Sequence, residues 1–410
     1  MTDQPFYLEH PDCLEFDAVI VNSITLPDHR TAVILDHTCF YPTGGGQEYD
    51  TGTLATAHVT DVFKDDSGAI IHVVDRILPV GPIHARIDAE RRLRHKQHHT
   101  AQHLLSQCFL QLFNLETLSA NINGYSPSTV DITLANLSQT ELERVEDLAN
   151  QVIYENRSVK TYVVAPDRIH TIPLRRPPKV SENIRIVEIE AFDYSACGGT
   201  HCSATGMIGI VKILNVEKHN EKSRIYFMAG LQAYQYLRDA HAIVTTLAVQ
   251  LSVHPQDLIQ TVQRQVEQLK TLQKENQALL TECIANEADR LTRVALEIEN
   301  VRVVLATFER RPVKELRSLA DCLKLGEGLL AILITQDGDK ISMVVSCATG
   351  THRSARVLLN QLLVPIHGRG GGDDILAQGG ANLPGHQFLQ YCDSIKLNLP
   401  QFLRNPELIG

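Results

Sequence analysis

Two pairs of metal-binding side chains stand roughly a hundred residues apart in this 410-residue chain, and a fold that joins them must press one helix against one distant turn. The first pair is His99 and His103, in the tract RHKQHHTAQHLL. Residues i and i+4 of a helix project from one face about one turn apart, so both imidazoles can reach one cation. His95 and His99 share that spacing, and spacing does not choose between 95/99 and 99/103. The second pair is Cys197 and His201, in CGGTHC, where two glycines allow a tight turn after an apolar strand. Three imidazoles and a thiolate make a borderline-soft set suited to zinc rather than to Mg²⁺ or Ca²⁺. Four protein ligands describe a closed structural site, whereas a catalytic zinc keeps a position open. Cys202 could replace Cys197, but neighbours in extended chain face opposite ways, which directs Cys202 to the core.

The periodicity changes several times along the chain. Up to about residue 88, FDAVIVNSI, TAVILDHTCF, ATAHVTDVFKD and AIIHVVDRI alternate between turn segments, as the strands of a small barrel or sandwich do. From Asp88 to about Phe113 a helical stripe follows, through Leu93, Ala101, Leu104, Leu105, Cys108, Phe109 and Leu112. A second helix over 139–156 opens with Ser138 and Glu141, the signature of a capping box. VKTYVVA, IRIVEIEAF, GIVKILNVEK and SRIYFMAG read as strands. From Leu231 to about Ile298 the chain is helical in composition, interrupted at His254–Pro255. Strands and helices then alternate, with the glycine-rich GRGGGDDILAQGGANLPG before a terminal helix. That glycine-rich segment could form a backbone nest for phosphate or allow tight packing. The expected class is α+β: a β-barrel (1–88), an α+β domain with the metal site (89–230), a helical arm (231–300) and a small α/β domain (301–410).

Nine cysteines, an odd number without regular spacing, do not form a disulfide framework. No apolar run approaches the ~20 residues of a membrane span, and the N-terminus has no secretory signature, so a cytoplasmic protein without a membrane partner is expected. The net charge of −10 argues against indiscriminate nucleic-acid binding but leaves room for a local basic track. Arg91, Arg92, Arg94 and Lys96 form one basic run, and Arg157, Lys160, Arg168, Arg175, Arg176 and Lys179 another; solvated surface is the plain reading of both.

HHTAQHLL and CGGTH at this separation resemble the editing domain of alanyl-tRNA synthetase and its free-standing relatives, the alanyl-tRNA editing proteins of the AlaX family. FYPTGGGQEYDTG, RIDAERRLRHKQHHTAQHLL, LRRPPKVSENIRIVEIEAFDYSACGGTH, TGMIGIVKI and RIYFMAG resemble segments of that family in the same order. LSVHPQDLIQTVQRQVEQLK and GRGGGDDILAQGGA resemble the synthetase's helical region and its DHHA1-type C-terminal domain. No ATP-binding or aminoacylation segment precedes these motifs, so the long form of the editing protein is the expectation rather than a synthetase.

The resemblance implies one zinc per chain, held by His99, His103, Cys197 and His201. It implies hydrolysis of Ser-tRNA(Ala), and of Gly-tRNA(Ala), as a safeguard of translation. It also places the FYPTGGGQ loop against the editing pocket. Thr43 would then hydrogen-bond a seryl hydroxyl, while Gln47 holds the aminoacyl end or water; a pocket that pairs with a hydroxyl disfavours an alanyl group. The zinc would polarise the ester, lower the pKa of a water to about 7, or only orient the pocket. Asp193 serves as a carboxylate behind a ligand histidine or as an ordinary loop acid. The C-terminal domain would contact tRNA, and the helical or C-terminal region would support a homodimer. The competing readings are a non-catalytic tRNA-binding protein with a structural zinc and an editor of another tRNA, such as Ser-tRNA(Thr). Nothing resembles the Asp/His-rich signature of a two-metal hydrolase.

Overall fold

A computed structural model describes residues 5–178, 181 and 183–404 and divides the chain into two compact units, residues 1–250 and 251–410. The first is a mixed α+β structure whose N-terminal part is a closed six-stranded barrel. After a short helix α1 (Phe6–Glu9) come β1 (Glu15–Thr25), β2 (Thr31–Leu35), β3 (Gly52–Leu54), β4 (Ala57–Lys64), β5 (Ile70–Val74) and β6 (Gly81–Ile87). Their order around the barrel is β1-β2-β5-β4-β3-β6, with every pairing antiparallel. Closure leaves no unpaired sheet edge. Along β1, Phe16, Ala18 and Ile20 face inward while Glu15, Asp17 and Val19 face out, the period of a half-buried strand.

Two strands depart from the sequence expectation. β6 carries Pro82 and His84 and alternates weakly, and β3 has only three residues. The expected strand TAVILDHTCF stops at Leu35, because the Asp36 carboxylate accepts Val19 N and His37 N and turns the chain out of the sheet. Cys39 and Phe40 then run through the barrel core, wholly buried.

Helix α2 (Ala89–Phe113) follows directly, with the Asp88 side chain accepting Arg91 N and left-handed Asn114 at its other end. It packs against α3 (Gln139–Tyr154), β7 (Thr117–Asn121), β8 (Ser128–Thr133), β11 (Asp193–Ala196) and β13 (Lys222–Ala229). The one-sided stripe gives way to a helix buried nearly all round from His95 to Ser106, with Leu93 left 41% exposed. β9 (Val159–Val164), β10 (Ile184–Ile189) and β11 form a three-stranded sheet in the order β11-β10-β9. β12 (Val211–His219), β13, β8 and β7 form a four-stranded one. α3 begins with the expected capping box on Ser138 and Glu141, and α4 (Gly230–Leu251) closes the unit.

The first basic run is not a solvated surface. Arg91 pairs with Glu48, Arg92 with Asp50, Arg94 with Glu90 and Lys96 with Asp12, and their side chains are only 10, 2, 11 and 6% exposed. In the second run, Arg157 pairs with Glu155 and Arg175 with Asp193, while Lys179 lies outside the described residues.

The second unit begins with the long helix α5 (Leu258–Arg293), after a break at His254–Pro255, and continues with β14 (Leu296–Ile298) and β15 (Val301–Glu309). Then come α6 (Val313–Leu323), β16 (Leu329–Asp337), β17 (Lys340–Cys347), α7 (Ala355–Leu363), β18 (Arg369–Gly372), β19 (Leu376–Asn382) and α8 (Phe388–Arg404). The six strands lie in the order β14-β15-β16-β17-β19-β18, and only β15–β16, joined through α6, are parallel. The glycine-rich segment is the β18–β19 hairpin. A Cβ at Gly379 would fall 2.5 Å from the Leu363 side chain and 2.7 Å from Gly370 Cα, so these glycines serve close packing against α7. Among the described residues no helix is long and apolar enough to cross a membrane.

Arg92 joins α2 to the barrel: its guanidinium bonds Asp50 at 2.6 Å, Cys39 O at 2.6 Å and Pro11 O at 2.8 Å. Removing one member of a buried pair leaves the other charge uncompensated. Arg92→Ala should therefore lower the unfolding free energy by about 3–5 kcal/mol, read from urea denaturation followed by circular dichroism. A loss below about 1 kcal/mol would mean that the pair behaves as a surface ion pair.

Candidate metal centre

The middle of α2 presents His99 and His103 from one face, and β11, held in register by β10, delivers Cys197 at its end. The chain turns through Gly198 and Gly199 and returns His201 to the same point. The four ligand-type atoms of His99, His103, Cys197 and His201 all lie within 4.8 Å of one another. Cys197 Sγ is 3.4 Å from both His99 Nε2 and His201 Nε2. His95, two turns and about 12 Å along the helix from His103, is outside the group and fully buried. Distance from the CGGTH turn thus selects the 99/103 pair, which spacing could not.

The partners of the three imidazoles fix where their protons sit. His99 Nδ1 lies 2.8 Å from Gln47 Oε1, an atom that only accepts. His103 Nδ1 lies 3.2 Å from the Asp193 carboxylate. His201 Nδ1 lies 3.3 Å from Thr100 Oγ1, whose own hydrogen goes to Lys96 O at 2.8 Å. Each Nδ1 therefore carries a proton, which leaves the Nε2 atoms as the ligand atoms gathered around Cys197. Three imidazoles and a thiolate so oriented fit a zinc ion, with carboxylate, amide and hydroxyl as the outer partners that such ligands take.

The local electrostatics agree. Burial pushes the Cys197 thiol up, but His99 and His201 outweigh it and hold the thiol well below its ordinary value. Burial drives His201 well down. It also opposes charge on His103, where the bonds to Asp193 and Cys197 prevail and raise it. Asp193 accepts from Arg175 Nε at 2.9 Å and from Ser195 Oγ at 2.9 Å; with His103 these outweigh its burial and keep it ionised.

The glycines of the turn differ. Neither has a left-handed φ, and a Cβ on Gly198 would meet nothing within 4 Å. A Cβ on Gly199 would lie 2.1 Å from His99 Cε1, so this glycine is required by the close approach of the imidazole rather than by a tight turn. Arg185 holds the turn, its Nη1 donating to Cys197 O at 2.9 Å and Gly199 O at 3.0 Å. Cys202 is 1% exposed in the apolar core, and burial pushes its thiol up to about 11.

The FYPTGGGQ loop separates the two residues expected from it. Thr43 lines a cavity of about 920 Å³, together with His99, His103 and Cys197. Gln47 is 1% exposed behind His99; its Oε1 also accepts Thr200 N at 3.1 Å and its Nε2 donates to Thr200 Oγ1 at 2.9 Å. The loop needs Gly46, with φ +83° and a would-be Cβ 2.4 Å from Ala120 O. Sequence reasoning missed Thr100, Thr200, Arg175 and Arg185. Thr100, in a helix interior between two histidines, bonds the carbonyl four residues back, a habit that could have marked it.

Parts of this chain match known proteins. The family profile "Threonyl and Alanyl tRNA synthetase second additional domain" matches residues 184–226, which hold Arg185, Asp193, Cys197 and His201. A second, "tRNA synthetases class II (A)", matches residues 17–91. Alanine–tRNA ligase of Methanosarcina barkeri is 30% identical over 405 residues, 93% of this chain and 43% of its own length. That of Thermococcus kodakarensis is 31% identical over 388 residues, covering 91% and 41%. The chain thus spans less than half the length of these curated relatives. The C-Ala domain of Aquifex aeolicus alanyl-tRNA synthetase matches 27% of this chain and 98% of its own at 26% identity, with a TM-score of 0.24, which establishes no common fold. The sequence matches bear out the resemblance to alanyl-tRNA synthetase and its relatives.

Gly199→Ala should drop bound metal well below one equivalent per chain, measured by mass spectrometry of the purified protein, while Gly198→Ala keeps it near one. Equal metal content in the two variants would show that the contact with His99 does not govern binding.

Proposed function

We propose that this relative of alanyl-tRNA synthetase is an aminoacyl-tRNA deacylase acting in trans on Ser-tRNA(Ala) and Gly-tRNA(Ala). One observation carries the reading: His99, His103 and Cys197 of the four-residue group line a cavity with the volume for an aminoacylated nucleotide, and Cys197 and His201 lie in the segment, residues 184–226, matched by the domain profile shared by alanyl and threonyl tRNA synthetases. The functional parts would be the barrel, the editing domain that ends near residue 230, the helical arm and a C-terminal tRNA-binding domain. The exposed Val262, Val266, Leu269 and Leu272 of α5 support a homodimer through that arm.

The substrate is an activated ester between an amino acid and a ribose hydroxyl, so catalysis needs chiefly to position a water and steady a developing oxyanion. A zinc ion held by the four ligands would supply positive charge beside the ester. Gln47, Asp193 and Thr100 fix the ligand imidazoles. Gln47, with its amide committed to His99 and Thr200, acts on the substrate through His99. Thr43, exposed on the cavity wall, is the hydroxyl proposed to receive the seryl side chain; an alanyl group would leave it unpaired, and glycine would enter by size.

Two other readings each have an observation behind them. A four-ligand site is the closed form that structural zinc takes, which favours a non-catalytic tRNA-binding protein. The matching profile names threonyl as well as alanyl tRNA synthetase, which favours Ser-tRNA(Thr) as substrate. A panel of seryl-, glycyl- and alanyl-tRNA(Ala) with Ser-tRNA(Thr) separates them. The seryl-tRNA(Ala) ester should be hydrolysed at least about tenfold faster than the alanyl one, the worth of one hydrogen bond. Thr43→Ala should erase about that factor in kcat/KM. Equal background rates on all four, or a folded His103→Ala protein with full activity, would overturn the deacylase reading.

A further inference from the structure

Apart from the Cys197 thiol of the four-residue group, the charged side chains that line the cavity are all cations. Its described lining holds Lys64, Arg175, Arg176 and Arg185 and neither Asp nor Glu, in a chain whose net charge is −10. Arg175 is neutralised by Asp193. The other three have no carboxylate partner among the described residues. Lys64, at the end of β4, places Nζ 5.8 Å over the Tyr7 ring. Arg176 donates to the carbonyls of Thr117 and Leu118. Arg185 donates to Cys197 O and Gly199 O and is only 7% exposed. Carbonyl oxygens satisfy hydrogen bonds but leave the charge standing, and a buried unpaired charge is costly. Elsewhere in this unit the buried cations among the described residues have acids: Arg91, Arg92 and Lys96 all do. Arg185 does not, and the two exposed cations Lys64 and Arg176 stand on the same cavity.

An anion from outside would complete the arrangement, and an aminoacyl ester does not supply one: its free end is an ammonium, which these cations repel. The anions of such a substrate are its phosphates. About 920 Å³ is near the upper end of small-molecule pockets, roughly 300–1,000 Å³, with room for a nucleotide beside the aminoacyl group. Lys64 comes from the barrel and Arg176 from the segment after β9, so a bound RNA backbone would meet cations from two separately built walls of the cavity.

We propose that Lys64, Arg176 and Arg185 form the phosphate subsite of this cavity, taking the backbone phosphates that lead to the esterified 3′ nucleotide of an RNA. The assignment rests on the deacylase reading for its substrate, and its test does not depend on hydrolysis. The affinity of the full chain for an uncharged acceptor-stem RNA with a single-stranded 3′ tail is measured by fluorescence anisotropy across a KCl series. Lys64→Ala and Arg176→Ala, both at exposed positions, should each raise Kd about tenfold and reduce the slope of log Kd against log [KCl] by about 0.7–1. Lys218→Ala, on β12 and away from the cavity, should leave both unchanged. Arg185→Lys, which keeps charge but loses the forked donor, should also weaken binding.

Wild-type Kd and slope in both exposed variants would overturn the proposal. So would variants that weaken competition by AMP, a free phosphate ligand, without affecting the RNA. If the variants lose RNA binding while the wild type hydrolyses no charged tRNA, the subsite stands and the deacylase reading falls.

Discussion

The first unit is held together at the Asp50 carboxylate. It accepts Tyr41 N at 2.7 Å, closing the base of the glycine loop, and pairs with Arg92, which carries the same connection into α2. From that point the loop runs to Gln47, Gln47 reaches His99 and Thr200, and Thr200 belongs to the turn that bears Cys197 and His201. A short series of buried polar contacts thus joins barrel, helix and turn. Networks of this kind rigidify a core when every member is satisfied. Apolar packing gives the barrel and the α+β part separate cores, and it is the polar series that aligns one with the other.

The candidate metal centre follows the same logic at smaller scale. Histidine has two nitrogens, and a site that left either free to take the proton would populate several tautomers. Here an amide oxygen, a carboxylate and a hydroxyl each hold one Nδ1, so the three Nε2 atoms are turned inward as the ligand atoms. The outer partners come from a loop at residue 47, the helix itself and strand β11, which places preorganisation across three elements.

Sequence reading recovered the parts whose signal is local. The capping box at Ser138, the helix opening at Asp88, the break at Pro255 and four of the barrel strands rest on neighbours within a few residues. It failed where the deciding partner is distant. The basic run of α2 looked like a solvated face because three of its four acids stand 43, 42 and 84 residues away, at Glu48, Asp50 and Asp12. The segment containing β7 and β8 raised no expectation, and the β18–β19 hairpin read as a loop because glycine has no strand preference of its own. At the site, residue types and spacing pointed to a metal group, and the resemblance to a family chose among the histidines. The service of Gln47 to His99, and the need for Gly199 rather than Gly198, are matters of distance that spacing does not carry.

The separation of the two ligand pairs also has a consequence in time. At a synthesis rate of about 5–20 residues per second, Cys197 leaves the ribosome roughly 5–20 s after His103. Through that interval the nascent chain owns half a binding site, two imidazoles with no thiolate to partner them. Firm capture of an ion by this group would have to wait until β10 and β11 have paired and the turn has docked onto α2. Occupancy of the centre would therefore mark a chain in which the most widely separated contacts of this unit have already formed, and metal uptake would serve as the closing event of its maturation rather than its nucleus.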